Sequence, residues 1–423
     1  MKTIVDLSMT ACRRMGTSVP PAGLDLSFTS GGPLPDLINF TRSSAATYTD
    51  AGGTIRTAAV NEARVGHHIR QDGAWRRRLL VEPQSTNVLL HSADLTNAAW
   101  TGRGDFTVTP ATSVIEGQTA HRFTNLGVTP SRAVTQTSGA LTGSPETFSV
   151  IIERDTSETS VIGLRNQTTS TWVYAITVNF DTLAATAFSG AGQHRVTDLG
   201  IGPNGGRLLR VSLTGTGIAG NIRRVFIYPS GTSTNTNASI IHHVQLEARN
   251  GSTSVIVTAG SQATRAADLA QIDAGAWPFS MGGFSVAMEG EVTYEDNDLS
   301  TEARLYSALL DGTHYALMDI QTNVAPPGRL AAIQRTPAGN DSTNSGATVV
   351  PPGVNMPFSI AVRHSATDVQ FALSGGLFTS AAAGLTDLAG APFRIAPVGA
   401  VTVERLRIWG SPLTDAHLEE ASQ

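Results

Sequence analysis

The sequence is poor in several residues whose presence would define a protein class. It has one cysteine, Cys12, which excludes an internal disulfide framework and any zinc site built from cysteines. Charged residues make up only 15% of the 423 residues, too few for the charged outer faces of long helices. No stretch is long and apolar enough to cross a bilayer, so we expect no membrane insertion. This composition favours an all-β protein with many short strands and turns.

Lysine is almost absent as well, and the charge is unevenly distributed. Lys2 is the only lysine, so the other 28 basic residues are arginines. Residues 1–90 carry a net charge of +3 and residues 91–262 of +1, whereas residues 263–423 carry −9. The only basic run, residues 76–78, is short, and we expect it in a solvated turn or an assembly contact. We therefore predict no nucleic-acid partner.

The first ninety residues predict an extended arm followed by a small β region. Two β-capable runs, residues 40–50 and 54–68, are joined by an Asp-Ala-Gly-Gly turn, which is typical of a hairpin. Residues 79–100 (LLVEPQSTNVLLHSADLTNAAW) are apolar but are interrupted by Pro83 and by polar residues. They predict a buried strand, a turn and the first strand of a new module, with Trp100 as a core residue.

Residues 91–262 contain about eight short apolar or alternating runs, separated every 10–20 residues by Gly, Pro, Asn and Asp. That spacing predicts a jelly roll. Residues 263–423 contain further short apolar runs that suit a second β-sandwich of a different type, with a long loop at residues 337–352. At its end, an alternating strand is followed by Thr414 and Asp415, which predict the cap and first turn of a short helix.

Several segments of the sequence resemble segments of bacteriophage and gene-transfer-agent virion proteins. The resemblance rests on the residues 40–64, on the Leu-Leu-Val-Glu-Pro seam with its following Trp100, on residues 245–257 and on residues 264–268. It implies a carbohydrate-binding-module-like jelly roll over residues 91–262 and a laminin-G or concanavalin A-like sandwich over residues 263–423. It also implies that residues 1–90 attach the protein to the head or tail of a particle.

The best candidate glycan site in the first sandwich is an aromatic pair. Trp172 and Tyr174 lie at positions i and i+2 of one predicted strand and therefore share a face. Arg165, Asn166 and Gln167 lie just upstream, in or beside the preceding turn. Sugar rings pack their C–H faces on aromatic rings while nearby polar groups satisfy their hydroxyls. Ordinary core packing of the two aromatic residues is the competing interpretation.

The second sandwich offers weaker candidates. Tyr306, Tyr315 and Asp311 are expected on its concave face, and the loop residues Asn340 and Asp341 are expected to close over a ligand. Oxygen-rich residues 295–298 suit calcium, with Asp296 and Asp298 as the ligands, but the EF-hand spacing is missing and a solvated acidic turn is the simpler interpretation. We expect no other cofactor.

Catalysis is the main alternative to binding. Retaining or inverting glycoside hydrolases need two carboxylates at a set separation, and Glu289 and Glu291 are the nearest pair in one strand. A third carboxylate at the expected spacing is missing, and no nucleophile elbow or nucleotide-binding loop is present. We therefore do not expect an enzyme. A purely structural role in a particle is the third possibility.

Taken together, the sequence predicts a particle-surface spike, fibre or decoration that binds host cell-surface polysaccharide without covalent chemistry. The expected partners are that polysaccharide and other virion proteins, the latter through residues 1–90. The resemblance also implies a homo-oligomer, with a trimer as one form. Asp6 interrupts the N-terminal apolar run, so a signal peptide is not indicated, and we expect assembly in the bacterial cytoplasm. Neither the particular glycan nor the sandwich that binds it follows from the sequence.

Overall fold

The computed structural model describes residues 18–102, 105–127, 133–232, 235–294, 303–373 and 376–423. These residues form thirty strands and one short helix, so the predicted all-β class with sandwich sheets is confirmed. Within the described ranges, no helix has the length and hydropathy needed to span a bilayer.

The strands fall into three consecutive groups along the chain. The first group is β1 (Leu24–Ser27), β2 (Ile38–Thr41), β3 (Ala46–Thr49), β4 (Ile55–Ala58), β5 (Arg64–Gln71), β6 (Ala74–Val81) and β7 (Ser85–Asn87). The second is β8 (Phe106–Thr112), β9 (Thr119–Asn125), β10 (Val134–Ala140), β11 (Pro145–Arg154), β12 (Thr159–Asn166), β13 (Thr171–Asn179), β14 (Ala185–Gly190), β15 (Gln193–Ile201), β16 (Arg207–Thr216), β17 (Ile222–Tyr228) and β18 (Ala238–Glu247). The third is β19 (Ala263–Arg265), β20 (Leu269–Ile272), β21 (Phe284–Tyr294), β22 (Ala303–Asp311), β23 (His314–Gln321), β24 (Arg329–Thr336), β25 (Gly339–Asn344), β26 (Gly353–His364), β27 (Asp368–Leu373), β28 (Gly376–Ala381), β29 (Phe393–Val398) and β30 (Ala400–Trp409), followed by helix α1 (Asp415–Ala421).

The second group forms the jelly roll. Its two antiparallel sheets have the strand orders β10-β17-β12-β13-β14 and β15-β16-β11-β18-β9-β8. Alternate side chains of both sheets form one core, and Trp100 lies in it with no exposed surface, as predicted. The structure has eleven strands here instead of about eight. The additional ones are β12, β14 and β15, whose polar or glycine-containing sequences give a weak strand pattern.

The other two groups together build the second sandwich. One sheet has the order β28-β27-β26-β21-β30-β6-β5, with β1 also paired to β30, and the other has the order β2-β20-β29-β22-β23-β24-β25. A single core cluster lies between them and includes Leu79 of β6 and Phe393 of β29. The sandwich therefore contains strands from both ends of the chain.

The predicted division after residue 90 does not coincide with a boundary between sheets. Leu24 of β1 pairs with Ile408 of β30, and Ile38 of β2 pairs with Ile272 of β20. Because β30 and β20 would otherwise present unpaired edges, the N-terminal strands complete the C-terminal sandwich. Asn87 pairs with Ala263 across β7 and β19, so the chain leaves the sandwich and returns to it at adjacent positions. The jelly roll is an insertion in the sandwich.

A buried polar cluster holds the base of the insertion, and we call it the junction cluster: Arg42, Arg64, Glu82, Ser254 and Asp268. Arg64 donates to Glu82 Oε2 at 2.5 Å, to Ser254 Oγ at 2.9 Å and to Asp268 Oδ2. Arg42 Nη1 lies 3.1 Å from Asp268 Oδ1, and the amide of Ser254 donates to Glu82 Oε1 at 2.7 Å. Ser254 belongs to the end of the jelly roll, so these bonds connect the two modules.

The charges of this cluster compensate one another. Burial alone would raise the pKa of Glu82, but the charges of Arg265 and Arg64 and the hydrogen bonds from Ser254 hold that pKa well below its usual range. Both oxygens of Asp268 accept from arginines, and its Oδ2 also accepts from the Glu82 amide at 2.8 Å. Buried charges are stable only with such partners.

Two of the four local predictions are confirmed, and the other two differ from the structure. The hairpin is confirmed as β3 and β4, and helix α1 begins after Thr414, whose Oγ1 accepts from the His417 amide at 3.4 Å. Residues 76–78 are not in a turn: they lie in β6, where Arg78 is buried against Glu291. The predicted loop at residues 337–352 contains the edge strand β25, which pairs with β24.

Candidate functional site

The outer face of the five-stranded jelly-roll sheet carries a group of aromatic side chains. In β17, Val225 and Ile227 point into the core, so Phe226 and Tyr228 point outward by strand alternation. Trp172 of β13 packs against the same outer cluster. Phe226 and Tyr228 are only 7% and 9% exposed, so neighbouring side chains on this face cover most of their surface.

A β-bulge separates the two residues that the sequence placed together. Leu164 pairs with Tyr174 and Arg165 pairs with Trp172, so Val173 is the extra residue of the bulge. The predicted shared face is therefore wrong. Tyr174 points into the core with 3% exposure, and its Oη lies 2.7 Å from His194 Nδ1. Trp172 is on the outer face.

Trp172 contacts two other aromatic rings. Its ring centroid is 5.0 Å from that of Phe226 and 6.0 Å from that of Phe188, with edge-to-face geometry in both pairs. Gly163 makes room for it, because a Cβ there would lie 2.7 Å from the indole ring. Phe188, on edge strand β14, is 43% exposed. Trp172 and Phe188 thus present accessible ring surface to solvent.

Two arginines border these rings. The Arg165 guanidinium lies 5.7 Å from the centroids of both Trp172 and Phe226, and that of Arg224 lies 5.2 Å from Phe226. Arg224 also donates to Thr135 Oγ1 at 2.6 Å, which fixes its position. We call this set the aromatic platform, and it consists of Arg165, Trp172, Phe188, Arg224, Phe226 and Tyr228.

Asn166 and Gln167, the other predicted residues upstream of Trp172, form hydrogen bonds that stabilise a turn. Asn166 is 3% exposed, and its side-chain oxygen accepts from the Thr169 amide at 3.2 Å. The backbone amide of Gln167 donates to the Ile222 carbonyl at 2.7 Å. Arg165 and Asn166 end β12, and Gln167 lies in the turn before β13, so the trio lies in and beside the turn that precedes the strand of Trp172, as predicted. Only Arg165 of this trio borders the platform.

The candidates of the second sandwich do not converge. Tyr306 is fully buried and stacks on Phe393, so its predicted place on a binding face is wrong. Tyr315 Oη donates to Asn340 Oδ1 at 3.3 Å, whereas Asp341 accepts from the Ala383 amide. Asn340 and Asp341 are consecutive residues of β25 and therefore point to opposite sides of the sheet.

Asp311 forms a local cap of its own turn. Its carboxylate accepts from the Thr313 amide at 2.7 Å and lies 2.9 Å from His314 Nδ1. The hydrogen bond with His314, followed by those from Thr313, lowers the pKa of Asp311 to about 2. These partners explain the position of Asp311 without a ligand.

Asp296 and Asp298, the predicted calcium ligands, lie outside the described residues. Among the residues that are described, no group of three or more His, Cys, Asp and Glu side chains is arranged to hold a metal ion.

The possible catalytic carboxylates are both paired with arginine. Glu291 is 3% exposed, receives two guanidinium nitrogens of Arg78 and accepts from Thr402 Oγ1 at 2.6 Å. Glu289 lies 3.1 Å from Arg407. Both oxygens of Glu291 are therefore occupied by protein partners, which leaves neither of them free to reach a substrate. This arrangement does not support acid catalysis at this pair.

Four residues of the aromatic platform were not predicted from the sequence: Phe188, Arg224, Phe226 and Tyr228. For two of them a signal was present: in the run Val225 to Tyr228, two aromatic residues alternate with two aliphatic ones, which indicates opposite faces. Phe188 lies in a strand that the pattern did not reveal.

Comparison with known proteins gives only distant likenesses. No family model and no curated protein matches the chain. The CBM40 of Ruminococcus gnavus IT-sialidase bound to α2,3-sialyllactose has 12% identity and a TM-score of 0.28, over 34% of this chain and 84% of that chain. Mouse laminin α1 domains LG4-5 have 11% identity and a TM-score of 0.24, over 70% and 90%. The CBM22-1-CBM22-2 tandem of Paenibacillus barcinonensis Xyn10C has 10% identity and a TM-score of 0.26, over 76% and 98%. At this distance the likenesses carry no argument about function.

Proposed function

We propose that the aromatic platform binds a polysaccharide without covalent chemistry. The observation that carries this proposal is the accessible ring surface of Trp172 and Phe188, bordered by the guanidinium of Arg165. Aromatic rings bury the C–H face of a pyranose, while guanidinium groups donate hydrogen bonds to its hydroxyls. The platform provides both kinds of group within one sheet face.

The platform is open, so a single sugar residue buries little surface and binds weakly. Linking several copies of the protein raises the overall affinity through effective concentration, without any new contact. We therefore further propose that several copies stand on the surface of a phage-type particle and capture host cell-surface polysaccharide. The sequence resemblance in residues 40–64 and 79–100 supports this particle role, as does the need for multivalency.

The first test measures binding and cleavage in one experiment. Purified protein is incubated with capsular polysaccharide from candidate hosts, and both retention on the glycan and release of reducing ends are followed. We expect retention without new reducing ends, and Trp172→Ala is expected to weaken it at least tenfold because the central ring is removed. Ile218→Ala, an exposed apolar change outside the platform, is the matched control and keeps the wild-type affinity.

Other outcomes would contradict the proposal. Retention that is equal in the wild type and in Trp172→Ala would exclude the platform as the site. New reducing ends that disappear in Glu291→Gln would favour a glycoside hydrolase in the second sandwich. Absence of retention on every host glycan would leave the structural role in the particle as the better account.

A further inference from the structure

A second unassigned site lies where the jelly roll meets the sandwich. A partly open cavity of about 110 Å³ is lined by residues of β5 and β6 of the sandwich and of β15 and β16 of the jelly roll, among others. Two clefts of about 470 Å³ and 190 Å³ adjoin it, and Arg70 lines all three spaces. Ligand sites occur preferentially at such boundaries between modules. We call these three spaces together the intermodule cleft.

Arg70 is the central feature of the intermodule cleft. Its guanidinium reaches across to β15, where a Cβ on Gly200 would lie 2.1 Å from its Nη1. Among the described residues its guanidinium makes no hydrogen bond, although its charge acts on Asp198 in the same cleft and helps to lower the pKa of that carboxyl. A guanidinium held at the wall of a cavity in this way is well placed to bind a carboxylate with two parallel hydrogen bonds.

The charged side chains that line the cleft are three arginines and three carboxylates. Arg195 and Arg210 line it in addition to Arg70. Of the lining carboxylates, Glu82 belongs to the junction cluster. Asp198 is paired with Arg207 at 2.8 Å and also experiences the charge of Arg70. Asp72 stands on the exposed tip of the β5–β6 hairpin. Because the numbers of lining cations and carboxylates are equal, the preference for an anion depends on the position of the Arg70 guanidinium at the cavity wall.

The other lining groups suit a sugar. Trp75 is partly exposed and lines two of the three spaces, where its ring offers an apolar face. Burial, followed by the charge of Arg64, lowers the pKa of His67 to about 3, so its imidazole is neutral. Because its Nδ1 accepts from the Thr49 amide at 3.2 Å, its proton is on Nε2, which makes it a hydroxyl donor.

We propose that the intermodule cleft binds an acidic saccharide, with Arg70 on the carboxylate and Trp75 against the ring. This site is separate from the aromatic platform and does not depend on it. The chemistry selects a sugar that bears a carboxylate, such as a uronic acid, over a neutral one of the same size.

Calorimetry on the full chain tests the proposal with trimers of galacturonate and glucuronate and with their methyl esters, which lack the charge. We expect the acids to bind and the esters to bind at least tenfold more weakly. Arg70→Gln is expected to bind the acids at least tenfold more weakly than the wild type does. Trp75→Ala is expected to bind both the acids and the esters more weakly. Arg76→Gln removes an exposed charge from the same hairpin outside the cleft, and it is expected to bind as the wild type does.

Three results would overturn the proposal. The first is that neither acid binds at millimolar concentration, and the second is that Arg70→Gln binds as tightly as the wild type. The third is that Trp172→Ala abolishes binding while Arg70→Gln does not; the acids would then occupy the aromatic platform, and the proposed function would stand without the cleft. If only the proposal for the aromatic platform is wrong, the wild type still binds the acids more tightly than Arg70→Gln does. Thermal unfolding of each variant confirms that it is folded.

Discussion

Glu82 follows an apolar run of β6 and is buried among arginines that come from distant parts of the sequence. Arg42 and Arg64 lie in the N-terminal segment, and Asp268 lies just beyond the insertion. These residues lie in the segments 40–64, 79–100 and 264–268 of the sequence. Those segments therefore have a structural role, because they supply the buried charges that hold the jelly roll on the sandwich.

The first residue-scale prediction concerns the junction cluster. Arg64→Met leaves Glu82 and Asp268 buried without their shared cation, and we expect a loss of about 3–5 kcal/mol in the free energy of unfolding. Arg405→Met is the control, since Arg405 and its partner Asp25 are 40% and 45% exposed, and it is expected to cost less than about 1 kcal/mol. Urea unfolding measures both, and equal losses would contradict the account.

The second residue-scale prediction concerns pH. Burial lowers the pKa of His364 to about 3, and burial followed by the charge of Arg210 lowers that of His243 to about 3. Both stay neutral in the folded state while the unfolded chain takes up protons below about pH 6.5. Stability therefore falls as the pH drops from 6.5 towards 3, by about 2 kcal/mol per histidine at pH 5.

Urea unfolding at pH 7 and pH 5 checks this. His364→Gln is expected to show a drop between the two pH values that is smaller by about 2 kcal/mol than that of the wild type. His417→Gln, at a partly exposed position of helix α1, keeps the wild-type drop. An unchanged drop in His364→Gln would show that the folded state does not keep this imidazole neutral.

At the scale of elements, helix α1 covers the outer face of the larger sheet. Leu418 is fully buried in a cluster with Trp409 of β30 and Ala361 of β26. Leu418→Ala leaves a cavity there, and we expect a cost of about 2–5 kcal/mol in urea unfolding. Glu420→Ala, on the exposed side of the same helix, is the control and stays within about 0.5 kcal/mol of the wild type. A loss below about 1 kcal/mol in Leu418→Ala would mean that the helix does not pack on the sheet.

Elements also show which parts of the fold were predictable. The β3–β4 hairpin, the cap at Thr414 and the buried Trp100 depend on local sequence, and all three are confirmed. The bulge at Val173 moved Trp172 to the outer face because one extra residue reverses strand alternation. Tyr306 could not be assigned to the core since alternation gives two faces but does not say which one is buried.

At the scale of the whole molecule, long-range pairing decides the architecture. The pairing of β1 with β30 joins Ser27 to Arg405 across nearly the full chain, and no local pattern indicates it. The sequence therefore predicted three consecutive parts, whereas the structure has a sandwich with an inserted jelly roll. The platform was only partly predictable for the same reason, because it joins side chains from β12, β13, β14 and β17.

The insertion predicts how the chain can be divided. A protein in which a short Gly-Ser linker replaces residues 89–261 keeps both sandwich sheets, because Asn87 and Ala263 are already paired. We expect it to show β-sheet circular dichroism and cooperative unfolding. Residues 263–423 alone lack β1, β2, β5 and β6, and we expect them not to fold. A folded 263–423 fragment would contradict the shared-sandwich architecture.

The central claim is that polysaccharide binds on the aromatic platform, and hydroxyl-radical footprinting of the five tryptophans tests it most directly. Trp100, Trp277 and Trp409 are at most 4% exposed and act as internal references. Trp172 reports on the platform and Trp75 on the intermodule cleft. The account predicts that bound host polysaccharide lowers the oxidation rate of Trp172 several-fold while the references are unchanged. An unchanged Trp172 rate, measured under conditions where the protein is retained on the glycan, would contradict it.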